Sequence, residues 1–484
     1  MKKSLTSNYI YMTFYQLLSV IVPIITAPYL ARTLGVSGVG IYSYTYSIFN
    51  WALLIATLGI SLYATKEIAK VGNNKQLISK TFSEIYLTQI LFNLLIIILY
   101  YLLIFTFNVK YKIIYIIYGI ILVGNLINVS WFYSGIEEFK KLSIRGCLVK
   151  ILSVFLILLF VRGKNALIIY VTILSLATFI SNIYLLFGLT KRTKINFKDV
   201  TVSSMFGHFK HNLILFIPQI AISIYTLLDQ PMIGWLSGST DEVGFYLKAE
   251  QLVKMVLYII TTLGTIMMPR IASLYKRKDI SKVKKYLNKV IDIVLYLSIP
   301  MMFGLAAVSS FFIEWFLTPA FSRVSLIMMV ISPIIVFISL SNVIGVQYLL
   351  PTDNTKYYIK SVILGALVNF ICNLILIPNL KAIGAAIGTV IAEFSVFLYQ
   401  FIVVRKMKVF ENHIKYATTC FINGLIMFIV IYFLGNLLGV GVFTTIIQII
   451  VGILIYTILS KIFKISIQEE MSKICLQKLH IKRK

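Results

Sequence analysis

The sequence predicts an all-α polytopic membrane protein of about fourteen spans, and three observations predict it. Of 484 residues, 59% are hydrophobic and 13% charged, against about a quarter charged in soluble domains; the mean hydropathy is +0.91. Apolar runs of about 20 residues, enough to cross a hydrocarbon core of about 30 Å, recur along the whole chain. Lysine and arginine then fall on alternate sides of those runs. No stretch remains for a soluble domain of ordinary size.

The spans follow in order at 8–31, 39–63, 82–107, 112–133, 144–161, 166–189, 209–236, 244–268, 289–313, 324–349, 357–377, 382–404, 416–436 and 440–462. Charged or turn-forming breaks delimit them: Lys66–Lys80 after the second, Lys140–Arg145 after the fourth, Arg270–Lys289 after the eighth, Arg405–Lys415 after the twelfth. The first span follows Lys2 and Lys3 but is too long for a secretory signal, and no A-x-A-like site follows it. The stretch LGVSGVGIYSY (34–44) places Gly35, Gly38 and Gly40 between the first two spans. It fits neither G-x-G-x-x-G nor the P-loop, so it reads as a tight helix-to-helix turn with close backbone packing. GAAIG (Gly384–Gly388) has the GxxxG spacing of packed helices.

Orientation follows from the basic residues. With the N-terminus inside, one side collects about 35 Lys and Arg and the other about seven: Arg32, Lys110, Lys112, Arg162, Lys164, Arg323 and Lys381. Both termini are therefore expected on the cytoplasmic side of the membrane. The net charge of +28 lies over cytoplasmic loops beside anionic headgroups, which argues against nucleic acid as a partner. Cys147, Cys372, Cys420 and Cys475 show no metal or disulfide spacing. His208 and His211 are three apart with no carboxylate or cysteine near them in the sequence, so no metal site is expected.

The chain also repeats itself. VGIY (Val39–Tyr42) after Pro28 returns as VGFY (Val243–Tyr246) after Pro231; TLG at Thr57–Gly59 returns at Thr262–Gly264, and Ile68-Ala69 as Ile271-Ala272. A nearly constant offset of about 204 residues is what duplication leaves. It corresponds to six spans, giving an N-lobe of 1–203, a C-lobe of 204–404, two extra spans over 405–463 and a basic tail of 464–484. An even number of spans per copy predicts a two-fold along the membrane normal, with the substrate path between the lobes.

PYLARTLGVSGVGIYSYTYSIFNW, TLGISLYATKEIAK, WFYSGIEEFKK and DQPMIGWLSGSTDEVGFYLKAEQL resemble the Wzx-type repeat-unit flippases, in the polysaccharide-exporter branch of the multidrug/oligosaccharidyl-lipid/polysaccharide (MOP) superfamily. The resemblance runs over nearly the whole chain. It implies a MATE-like fold of two six-helix lobes plus two helices. It further implies an undecaprenyl-diphosphate-linked oligosaccharide as cargo, carried by alternating access for capsular or other surface polysaccharide, by a monomer working beside a polymerase and glycosyltransferases.

Such a cargo calls for cations in the spans. The candidates for substrate contact are Arg32, Lys150, Lys248 and Lys254. Arg32 and Lys150 are also within snorkelling reach of a membrane surface, and Glu250 with Lys254 equally fits an intrahelical i,i+4 pair. Asp229, Glu250 and Glu393 are the candidates for ion coupling or gating. Asp229 either takes up H+ or Na+, or pairs with Lys254 or Arg32; Glu393 is a cation site or an acid neutralised within the bundle. Gln16, Gln89, Asn93, Asn125, Asn128, Gln219, Gln347, Asn369, Asn373 and Gln400 offer either hydroxyl-binding groups for sugar or interhelical hydrogen bonds.

No catalytic residues and no resident cofactor are expected. There is no Ser-His-Asp set or acidic pair for chemistry, and no outer loop long enough for a glycan polymerase. A lipid II flippase, a teichoic or teichuronic acid exporter and a MATE-type drug/cation antiporter stand as alternatives on the same fold. Without a nucleotide motif, energy comes from an ion gradient, the membrane potential or consumption of cargo outside. The basic run Lys276–Lys289 suits anchoring to anionic lipid or docking of a partner.

Overall fold

A computed structural model describes residues 5–57, 59–72, 74–189, 192–193, 195–197, 200–407, 409–411 and 413–470, without the side chains of 5–9, 214–215, 217–222, 224–225 and 263–266. The expected Lys2, Lys3, Cys475 and the side chain of Gln219 lie outside the described residues. All regular elements among the described residues are helices, and thirteen of these are long and apolar enough to cross a membrane. The chain divides into two compact units, Met1–Leu227 and Leu228–Lys484.

The first unit holds α1 (Leu5–Thr33), α2 (Gly35–Thr57), α3 (Ile60–Val71), α4 (Lys75–Thr106), α5 (Lys112–Leu126), α6 (Ser130–Gly135), α7 (Phe139–Phe160), α8 (Leu167–Phe187) and α9 (Val202–Leu227). The glycine-rich stretch is a turn only at its first member. Gly35 has φ 67°, a left-handed geometry that favours glycine, while Gly38 and Gly40 are buried inside α2. Two spans are broken midway: α2 gives way to α3 at Gly59, φ 69°, and α5 to α6 across Ile127–Val129.

Side chains of α4 close both breaks. Gln89 donates Nε2 to the carbonyls of Asn125 at 2.9 Å and Asn128 at 3.0 Å and accepts from Trp131 Nε1 at 2.8 Å. Asn93 donates to Ala56 O at 3.1 Å and accepts from Asn125 Nδ2 at 2.8 Å. Carbonyls freed by a helix break have no water to turn to in hydrocarbon, and these amides supply the missing donors. The amides expected from sequence either to bind sugar or to join helices are, at 89, 93 and 125, joining helices.

Around these breaks lies an aromatic core of α3, α4, α6, the end of α8 and the middle of α9, including Tyr63, Phe82, Trp131, Phe132, Tyr133 and Phe216. Helix α9 belongs to this core, so the packing division falls one helix later than the sequence repeat at 203/204. His208 of α9 faces Tyr63 Oη at 2.7 Å and Glu84 Oε2 at 3.1 Å. The carboxylate partner that the sequence did not offer His208 therefore comes from 124 residues away.

The second unit holds α10 (Asp229–Ser237), α11 (Thr240–Lys276), α12 (Ile280–Phe316), α13 (Arg323–Ile331), α14 (Ile334–Ser341) running into a π-helical stretch (Asn342–Leu349), α15 (Thr355–Leu380), α16 (Ala382–Lys406), α17 (Ile414–Leu438) and α18 (Val442–Ile462). The expected span 209–236 is α9 and α10, interrupted at Leu228; Pro231 sits in the first turn of α10, where its missing N–H costs nothing. Helices α15 and α16 form a close hairpin, reversed at Lys381. At one end of the unit Glu242 pairs with Arg323 Nε at 3.0 Å and accepts the Ala382 N–H at 3.2 Å, capping α16.

Candidate functional site

The GAAIG segment explains why a buried acid can exist in the second unit. A Cβ on Gly384 would stand 2.5 Å from Leu376 O, and one on Gly388 would stand 2.6 Å from Asn373 Oδ1. Two glycines one turn apart thus let α16 lie against the backbone of α15. That approach brings Thr389 of α16 and Asn373 of α15 onto one carboxylate, Asp229, which opens α10 immediately after the break at Leu228.

Asp229 is 6% exposed. Asn373 Nδ2 donates to its Oδ1 at 2.7 Å, and Tyr246 of α11 donates its hydroxyl to Oδ2 at 2.5 Å. Thr389 Oγ1 stands 2.8 Å from the same oxygen and 2.9 Å from Tyr246 Oη. Its single proton also has Ala385 O in reach at 2.9 Å. Three oxygens therefore form a triangle served by two hydroxyl protons. A proton on the carboxyl supplies the third and, with the Thr389 proton kept within the triangle, completes the ring with no movement of heavy atoms. Asn369, one turn before Asn373, accepts from it at 3.2 Å.

A charged pair on α11 adjoins this cluster in sequence, with a neutral contact from α10. Lys254 Nζ lies 2.6 Å from Glu250 Oε1, and Gln230 of α10 donates to Glu250 Oε2 at 3.3 Å. Lys254 is thus paired with Glu250, while the three hydrogen-bond partners of Asp229 are neutral. Glu393, 7% exposed, stands one turn beyond Thr389 on α16. Lys248 is buried on α11, 7% exposed, with no ion pair among the described residues.

The two remaining candidates belong to the first unit. Arg32 is exposed at the end of α1. Lys150 of α7 donates to Ser19 Oγ of α1, its ammonium 4.7 Å from the centre of the Tyr15 ring. Asp229, Lys254, Glu250, Lys248 and Glu393 thus share one unit, and Arg32 and Lys150 share the other. Tyr246 and Thr389 were missed as site residues. The one signal for Tyr246 was its place in the repeated VGFY motif.

Residues 5–275 match a family model described as polysaccharide biosynthesis protein. Two relatives assigned as O-antigen transporters align over most of their length. That of Escherichia coli (strain K12) is 28% identical over 414 residues, covering 84% of this chain and 98% of its own. That of Shigella dysenteriae is 22% identical over 382 residues, covering 78% and 94%. Among solved structures, the lipid II flippase MurJ in an inward closed conformation is similar with a TM-score of 0.76 at 20% identity, covering 95% of this chain and 98% of that one. An inward-facing multidrug resistance MATE family transporter of the MOP superfamily is similar with a TM-score of 0.61 at 13% identity, covering 82% and 94%. These two likenesses are of fold.

Proposed function

Since the chain belongs to the polysaccharide biosynthesis protein family, we infer that it is a membrane transporter of lipid-linked polysaccharide precursors and not an enzyme. The observation that carries this is the alignment over 98% of a relative assigned as an O-antigen transporter, on the fold of a lipid flippase. The cargo in this reading is an undecaprenyl-diphosphate-linked repeat unit, moved from the inner to the outer leaflet by alternating access. The protein works in a bacterial plasma membrane, with both termini on the cytoplasmic side.

Roles for the residues follow from their chemistry. Arg32, Lys150, Lys248 and Lys254 are the cations available to a diphosphate, Arg as a planar fork and Lys as a point charge. Asp229 takes and releases the coupling ion, and the Tyr246–Thr389–Asp229 triangle supports H+ as that ion because one proton completes its hydrogen bonding. Glu250 sets the position of Lys254, and Glu393 supplies a second buried acid on the same helix as Thr389.

Depletion in the native host tests the whole reading. The expected result is accumulation of lipid-linked repeat units in the inner leaflet with unchanged susceptibility to cationic dyes. Accumulated lipid II in place of repeat units transfers the cargo to the cell-wall precursor, and dye hypersensitivity without a trapped glycan overturns the substrate class.

A further inference from the structure

The motif WFYSGIEEFKK (Trp131–Lys141) plays no part in the reading above, yet it builds a cationic cleft with the end of α8. The cleft measures about 640 Å³ and is lined by Lys141, Tyr184, Phe187, Gly188 and Arg192. Lys141, in the first turn of α7, donates its ammonium to Tyr133 Oη at 2.9 Å and stands 4.3 Å from the centre of that ring. Tyr133 spends its own proton on Leu185 O at 2.8 Å, so its lone pairs face the ammonium. Gly188 makes the room: a Cβ there would stand 1.9 Å from Lys141 Nζ. Arg192 is half-exposed and pairs at 2.7 Å with the buried Glu138. That contact occupies one edge of the guanidinium, and the fork has further donors to offer.

An exposed apolar stripe leads into these cations. Leu176, Ile180, Tyr184 and Phe187 recur at helical spacing on α8, and all are exposed, Phe187 at 78%. From Leu176 to Phe187 the helix rises about 16 Å, roughly the hydrocarbon of one leaflet. Aromatic rings at the end of such a stripe mark the membrane interface. By the distribution of basic residues this end of α8 faces the cytoplasm.

We propose that this cleft binds an anionic phospholipid of the leaflet on that side, its phosphate between Lys141 and Arg192 and an acyl chain along Leu176–Phe187. A soluble anion would need the cations but not the stripe. The stripe without the cations would take any lipid.

The test uses the full-length protein in detergent with phosphatidylglycerol and phosphatidylcholine of identical acyl chains, counting bound lipid by native mass spectrometry. The wild type is expected to retain phosphatidylglycerol preferentially. Lys141→Gln with Arg192→Gln should weaken that binding by about five-fold per cation removed, while Lys75→Gln with Lys80→Gln, the same charge change elsewhere, leaves it intact. Gly188→Ala, which pushes the ammonium aside, gives a smaller loss and serves if the double variant does not fold. Equal retention of both lipids by the wild type overturns the proposal. So does full binding by Lys141→Gln/Arg192→Gln, or displacement of phosphatidylglycerol by an equal concentration of inorganic phosphate.

Discussion

Asn373 and Asp229, 144 residues apart in the chain, meet through a 2.7 Å hydrogen bond from Nδ2 to Oδ1. The bond ties the start of α10 to the middle of α15, and Thr389 ties the same carboxylate to α16. A change of charge on Asp229 is therefore felt by three helices of the unit at once. An ionisable group placed this way couples protonation to packing, because each donor around it changes partner or strength when the carboxyl does.

Asp229→Asn removes the charge and keeps the shape. Insertion and folding should be retained, and glycan export should fall by about tenfold or more, as expected when a buried charge-assisted hydrogen-bond group is neutralised. Residual transport should lose its dependence on imposed pH and Na+ gradients. Export by the Asn variant that matches wild type across those gradients removes Asp229 from coupling.

Gln89→Ala strips the side-chain donor from the carbonyl of Asn128, and from that of Asn125, which keeps the Asn128 N–H at 3.1 Å, and leaves Trp131 Nε1 without its acceptor. Each buried polar group left unsatisfied costs about 1–3 kcal/mol. The midpoint of thermal unfolding in detergent should drop by several degrees, with a larger drop than for Gln16→Ala, whose side chain is exposed.

Gly384→Ala and Gly388→Ala separate stability from activity. At 384 the added methyl meets backbone, Leu376 O at 2.5 Å, so the helix pair must part, at a cost of about 1–3 kcal/mol or more. At 388 it meets the amide end of Asn373 at 2.6 Å, which can swing away only by leaving Asp229. Melting curves should therefore show the larger loss for the first variant, and transport per inserted molecule the larger loss for the second.

Asp279 gives a pH dependence with a definite sign. It caps α12, accepting the Lys282 side chain at 2.7 Å and its backbone N–H at 3.2 Å. Lys282, first through its side chain and then through its N–H, holds the Asp279 carboxyl below its ordinary range. A depressed folded value means that the stabilisation is complete above the unfolded value of about 3.9 and is lost as pH falls through the folded one. Wild type should melt slightly above Asp279→Asn at pH 7, and the gap should close on acidification through that range. A gap that widens in acid contradicts the assignment.

The spans were legible because bilayer thickness writes itself into the length of apolar runs; each of the thirteen qualifying helices overlaps an expected one. The interruptions were less so. At Leu228 the signal was Pro231, which in a continuous helix has no N–H for Leu227 O and crowds that carbonyl; the break sets it in the first turn of α10, where that N–H is not needed. The breaks at Gly59 and across Ile127–Val129 carried no such mark. Asp229 itself stood out because an acid in an apolar run is expensive. Tyr246 and Thr389 did not, since one hydroxyl among many carries no such signal. Gln89 and Asn93 were visible as buried amides, but only folding shows that their partners are freed backbone carbonyls.

The seam formed by those two amides also bears on recombination between relatives. Because α4 holds the interrupted middles of both the α2–α3 and the α5–α6 spans, residues 35–135 should behave as one exchange cassette. A chimera that imports 35–71 alone, or 112–135 alone, would set foreign carbonyl positions against resident amides, whereas one that imports the whole block keeps every donor with the acceptor it was selected beside. Crossover points in viable hybrids should cluster outside that block.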